Sequence, residues 1–160
     1  MNLAEIWSRI AAWHNRHTPP GTFTLNPGAS VEAMDQLEAT IGSVLPVDFR
    51  TSLSIHNGGQ SCWLLWYGEL LDTDAIARQW NMYRTWQDRN EYAIEGSDDW
   101  IPRAIQGPIK PVFWNPKRIF VTDNSGDHLT IDLDQPPEGS HGQVGYHCHE
   151  VGPREVLAPG

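Results

Sequence analysis

The sequence predicts an α+β domain, with a mixed, largely antiparallel sheet and helices packed on one side of it. Three observations carry this. Apolar residues recur at helical spacing through most of the first half of the chain. After about residue 117 the period changes to two, with β-branched runs separated by glycine-bearing turns. Helices first and strands afterwards is the order of an α+β architecture with antiparallel neighbours. The length, 160 residues with 39 % apolar, suits one compact domain with a real core. A single domain over 1–160 is expected, with 1–29 as an N-terminal helical extension.

The elements follow in order. Leu3, Ile6, Trp7, Ile10 and Trp13 or His14 share a helical stripe, so a helix is expected over about 3–17. TPPGTFTLNPGA, with three prolines and two glycines, breaks it. Ser30 can cap a second helix in which Val31, Met34, Leu37, Glu38 and Ile41 set the period and Gly42 is the stop. A third starts near Pro46, buries Phe49 and Leu53, and ends at Asn57-Gly58-Gly59. SCWLLWYGELL reads as a strand and a turn. Asp72 or Thr73 then caps a fourth helix with Ile76, Trp80, Tyr83 and Trp86 or Gln87 on one stripe.

EGSDDWIPRAIQGPIKPVFWNP, with four prolines and two glycines, is irregular. RIFVTD, HLTIDLD and QVGYHCHE are strands. Asn-Ser-Gly-Asp at 124–127 fits a hairpin turn in which Gly supplies positive φ. In HLTIDLD, Leu129, Ile131 and Leu133 share one face and Thr130, Asp132 and Asp134 the other. That alternation predicts a half-buried strand with an exposed acidic face.

Charge narrows the function classes. Twenty acids against 11 bases give a net charge of −9, and the bases form no run. Phosphate neutralisation needs a basic patch, so nucleic acid is not an expected partner. A basic protein partner is the better match. No stretch approaches the roughly 18 apolar residues of a membrane span, and Glu5 sits where a signal peptide would be apolar. A cytoplasmic protein that engages no membrane is expected. Cys62 and Cys148 form no spaced ladder, so neither a disulfide framework nor a structural zinc site is implied.

Candidate chemistry is thin. From Asp123, Gly126 falls at the fourth position rather than the sixth, which rules out an EF-hand loop. His147 and His149 share a strand face and could join a metal site only if more ligands came from elsewhere. They read as surface residues, and no metal or cofactor is expected. There is no nucleophile elbow and no phosphate loop. Asp98-Asp99-Trp100 is the best local acid pair beside a sugar-stacking ring, although a solvated turn into an anchored Trp explains it as well. The eight tryptophans should mostly pack, leaving two or three for a recognition surface.

Two blocks resemble a known family. LEATIGSVLPVDFRTSLSIHNGG carries Leu37, Glu38, Ile41, Gly42, Leu45, Pro46, Phe49, Leu53, Asn57, Gly58 and Gly59 in the order of the Smi/Knr signature within the SUKH superfamily. WNPKRIFVTDNSGDHLTIDLDQPPEGSHGQVGYHCHE matches its second block through Gly126, Asp127, Leu129, Ile131, Asp132, Leu133, Gly139, Gly142, Gln143, Val144 and His149. Arg118 and Phe120 stand where the family often has Trp and Pro. The family also tends to close on a helix where this chain runs REVLAPG.

The resemblance implies a SUKH-like fold and a protein-binding role without catalytic residues. It points to an immunity protein that neutralises a toxin, such as a basic nuclease domain, or to a regulator of cell-wall synthesis. Trp63, Trp66, Asp98, Asp99, Trp100 and Trp114 are the expected lining of the binding cleft. A carbohydrate or wall-polymer binding protein or hydrolase, using the Asp98–Asp99 pair and a Trp platform, is the alternative. A metal-dependent hydrolase built on His147 and His149 is a third reading.

Overall fold

The computed structural model describes residues 2–60, 62–63, 67–89 and 105–160. Helix α1 (Leu3–His17) opens on a capping box. The Asn2 side chain accepts the Glu5 N–H at 2.9 Å and the Glu5 carboxylate accepts the Asn2 N–H at 3.2 Å. Strand β1 (Thr24–Leu25) follows. Helix α2 (Val31–Ile41) is capped by Ser30 and ended by Gly42 in the left-handed region. Helix α3 (Val47–Ile55) starts after Pro46. α1 is tied to it where the Trp7 indole donates to Ser52 Oγ at 2.9 Å.

The motif residues of the first block have a physical role. The Glu38 carboxylate accepts the Leu45 N–H at 3.0 Å and pairs with Arg50, which also pairs with Asp35. One carboxylate thus fixes the α2–α3 turn and lets Leu45 go inside. Asn57-Gly58-Gly59 is a junction. Strand β2 (Gly59–Gln60) pairs antiparallel with β1. The Asn57 side chain accepts the Thr73 N–H at 2.8 Å, at the start of helix α4 (Thr73–Asp88), whose N-cap is Asp72. At Gly58, φ is +70° and a Cβ would stand 2.5 Å from the Asp72 nitrogen, so only glycine fits. Of the expected SCWLLWYGELL strand, the described part is a Trp63–Glu69 bridge and strand β3 (Glu69–Leu70).

Strands β4 (Arg118–Phe120), β6 (His128–Asp132), β7 (Gln143–Cys148) and β8 (Gly152–Ala158) form an antiparallel sheet in the order β4-β6-β7-β8. Strand β5 (Thr122–Asp123) pairs with β3 and leads into β6 through the expected turn. So the fold is α+β, as the sequence predicts. The last described element is strand β8.

One sheet face carries Ile119, Val121, Ile131 and Leu133 against Met34, Leu37, Ile41, Leu53 and Ile76 from the helices. The other face was expected to be an acidic surface, and this is corrected. Asp132 is only 3 % exposed. The segment 105–116 lies across it: Gln143 donates to the Pro108 carbonyl, and Arg118 donates to the carbonyls of Val112 and Lys110. Asp132 accepts the Asp134 N–H at 3.0 Å and sits opposite the buried Arg118 in the β4–β6 register. A two-residue period shows that a strand has two faces, but not whether a distant loop covers the polar one.

The junction predicts a stability test. Asn57→Ala orphans the Thr73 N–H and should cost about 1–2 kcal/mol in urea unfolding. Gly58→Ala adds backbone strain and a backbone clash, and should cost more than Asn57→Ala in the same assay.

Candidate functional site

A cleft of about 580 Å³ opens between the C-terminal half of α4 and the β5–β6 hairpin. Gln79, Met82, Tyr83 and Trp86 line it from α4, where three- and four-residue spacing puts them on one helical face. Phe113 comes from the loop across the sheet; Asp123, Ser125, Gly126 and His128 come from the hairpin, and His149 from beyond β7. Ser125 (φ 54°) and Gly126 (φ 97°) are both left-handed, the geometry of a type I′ turn. Asp123 accepts the Gly126 N–H at 3.1 Å and so helps hold the loop.

Asp127, at the end of this turn, ties it to the end of β7. Its Oδ2 accepts the Tyr146 hydroxyl at 2.6 Å. Its Oδ1 faces the His149 N–H at 2.9 Å and the His149 Nδ1 at 2.7 Å. Burial alone would raise the Asp127 pKa, but these donors override it and hold it at about 2. The same hydrogen bond to Asp127 raises the pKa of His149. Asp127, Cys148 and His149 present an oxygen, a sulfur and a nitrogen within 4.8 Å of one another.

Behind the cleft lies an aromatic interior. The His128 ring stacks on Phe120 with centroids 4.0 Å apart, and its Nδ1 meets the Thr122 carbonyl at 2.6 Å. His147 is 0 % exposed, ringed by Phe113, Phe120, Tyr83 and His128. Neither of its ring nitrogens has a hydrogen-bond partner among the described residues. Burial lowers the pKa of both histidines, His147 the more strongly, with His128 and Arg118 adding to the effect on His147. Burial also raises the pKa of Tyr83.

The expected His147–His149 surface pair is therefore corrected. β7 ends at Cys148, and the turn closed by the Val151 N–H to Cys148 carbonyl bond redirects the chain. His147 points inward while His149 stays at the surface.

Of the expected cleft lining, Trp63 is 49 % exposed. Trp114 is 3 % exposed, packed between Trp80 and Tyr83, so it is an interior residue. Trp66, Asp98, Asp99 and Trp100 lie outside the described residues. The described residues that meet at the cleft are others: Met82, Trp86 and Phe113 on the apolar wall. A signal for the α4 part was present, because the Trp80–Tyr83–Trp86 stripe runs on past Ile76, the helix's last aliphatic position fully inside the core. Cys62 is buried, its thiol pushed up to about 12 by burial, and Cys148 is free and half-buried. A second groove runs along α1, lined by Ile6, Ile10, Trp13 and His17 with Tyr67. No helix among the described residues is long and apolar enough to cross a membrane.

The family model of SMI1/KNR4 (SUKH-1) matches residues 28–160. The chain is 31 % identical over 153 residues to the cell wall biosynthesis/cell cycle regulator smi1 of Schizosaccharomyces pombe, covering 89 % of this chain and 30 % of that protein. It is 24 % identical over 178 residues to a glucan synthesis regulatory protein of Neurospora crassa, covering 89 % and 33 %. With the cell wall assembly regulator SMI1 of Saccharomyces cerevisiae it shares 23 % over 171 residues, covering 86 % and 34 %. The chain thus spans about a third of the length of these relatives.

The buried histidines set a pH dependence. In the unfolded chain they bind a proton near the ordinary value of 6.5; in the folded chain they resist it. More protons bound when unfolded means that stability rises with pH. The stabilisation is complete above 6.5 and is lost as pH falls below it, toward the lowered folded values. His128, Arg118 and His149 oppose protonation of His147, and Asp127 favours it. His147→Phe should flatten the fall in unfolding free energy between about pH 7.5 and about pH 5.5. It should also gain stability at the upper pH, since a buried unpaired polar group costs about 1–3 kcal/mol. Urea titrations at both pH values check both effects.

Proposed function

The chain belongs to the SMI1/KNR4 family (SUKH-1), and from that membership we propose that it acts in the cytoplasm by binding another protein rather than by turning over a substrate. The partner is a basic protein domain, and the α4 cleft receives it. The observation that carries this is the pairing of an apolar wall, Met82, Trp86 and Phe113, with the acidic hairpin bearing Asp123, on a chain of net charge −9. Aromatic anchors in a cleft supply affinity. A negative surround supplies steering toward a positive partner. The relatives are named as regulators of wall and glucan synthesis, which supports a regulatory binding role. The acidic charge supports a toxin domain as the basic partner, which an immunity protein would neutralise.

The polar groups of the cleft fit a binding surface. The Asp127 carboxylate is held by Tyr146 and His149, and His128 is turned to the Thr122 carbonyl. Such groups hold the wall in shape.

Recovery of partners from the native host with this chain as bait, at low and at high salt, tests the proposal. A basic protein should be captured and should be lost as salt rises. Trp86→Ala should weaken its binding about tenfold or more, near 1.4 kcal/mol. Asp123→Asn keeps an acceptor for the Gly126 N–H while removing the charge, and should slow association at low salt only. Binding unchanged by both substitutions refutes the cleft. Capture of no protein, with a tryptophan fluorescence response to soluble glucan, moves the function to wall polymer.

A further inference from the structure

We propose that Asp127, Cys148 and His149 form a zinc-binding site at the rim of the α4 cleft. Their donor atoms lie within 4.8 Å of one another, and His149 lines the cleft. Ligands of a tetrahedral zinc stand about 3.3–3.8 Å apart, given metal–ligand bonds of about 2.0–2.3 Å. Closing the set therefore needs only about an ångström of side-chain adjustment. A thiolate, an imidazole and a carboxylate together suit zinc, whereas calcium and magnesium take oxygen alone. Three protein ligands leave a fourth position open to water or to a partner's side chain.

The ligands are held by structure around them. Tyr146 donates to Asp127 Oδ2 at 2.6 Å, which orients the carboxylate and leaves Oδ1 toward His149. An outer hydrogen bond of this kind is the usual support of a metal ligand. A Cβ on Gly126 would stand 2.9 Å from His149 Cβ, so the hairpin turn is pressed against the histidine. Cys148 is fixed by its pairing with Gly152 across β7–β8 and by the turn bond from Val151. These are two chain segments locked together at the point where the three donor atoms meet.

Without metal, His149 Nδ1 and Asp127 share a hydrogen bond. Zinc takes the place of that shared proton. Nδ1 becomes a ligand with the remaining ring proton on Nε2, and the Cys148 thiol gives its proton to solvent as the thiolate binds. No oxidant or co-reactant is needed. The site is independent of the protein-binding reading, since its ligands are all in this chain.

The test uses tag-free chain stripped by chelator and titrated with cobalt(II), then zinc. One equivalent of cobalt should give a thiolate-to-cobalt charge-transfer band, which zinc bleaches. Cys148→Ser should abolish the band and Cys62→Ser should keep it, because Cys62 is buried and is not one of the three clustered donors. Tyr146→Phe, which leaves all three ligands in place, should weaken cobalt binding about tenfold. Zinc should raise the Tm of wild type and not of Cys148→Ser, with folding of each variant checked by circular dichroism. No band in the wild type, or a band that survives Cys148→Ser, overturns the site. So does a band lost in folded Cys62→Ser.

Discussion

The hydrogen bond from the Thr73 backbone to the Asn57 side chain is the constraint on which the arrangement of helices depends. It joins the end of α3 to the start of α4 across a break in sequence that contains β2 and β3. The Asn57 backbone is held in turn: its carbonyl accepts the Asn26 side chain, and its N–H donates to the Pro27 carbonyl. Gly59 packs so close to Thr24 and Cys62 that a Cβ would collide with both. Everything that α4 does at its far end, including the wall of the cleft, is aimed from this junction. A helix of 16 residues is about 24 Å long, so a small tilt at Thr73 becomes a displacement of ångströms at Trp86.

α4 serves both faces of the sheet. Ile76 joins the aliphatic core with α2, while Tyr83, two turns on, packs on Phe120 of the opposite face. The second face is closed by the irregular segment 105–116, and this makes buried polar groups unavoidable there. Arg118 donates to the loop carbonyls of Val112 and Lys110, and Gln143 donates to the Pro108 carbonyl and to Asp132. Such bonds add little net stability, yet a buried polar group that loses its partner is left unsatisfied at a cost of about 1–3 kcal/mol. These residues therefore fix where the loop lies more than they strengthen the domain.

Local chemistry made the helices legible. Ser30, Gly42 and Asp72 are caps whose action needs only neighbours a few residues away, and the structure has them at the positions the sequence indicates. The 124–127 turn was legible for the same reason. The site was much less so. Asp127, Tyr146 and His149 meet across 19 and 22 residues, which no spacing rule anticipates. The pattern His-x-His implied two surface residues on one face of a continuing strand. It stops at Cys148, and one histidine goes inside. Trp114 was read for its chemistry as a recognition residue, but tertiary neighbours put it beside Tyr83.

The outer edge of the sheet has a consequence for behaviour at high concentration. β8 has β7 on one side, and a terminal strand of this length would offer a row of unpaired backbone groups to a second molecule. Gln106 occupies that edge. It accepts the Val156 N–H and donates to the Arg154 carbonyl, in a parallel bridge opposite Glu155. Gly107 beside it has φ +94°, a conformation that a larger residue adopts only with strain, and a Cβ there would stand 3.1 Å from Val156 Cγ2. The short stretch around 106 thus works as a plug against sheet-to-sheet polymerisation. The sequence there answers to colloidal behaviour as well as to folding.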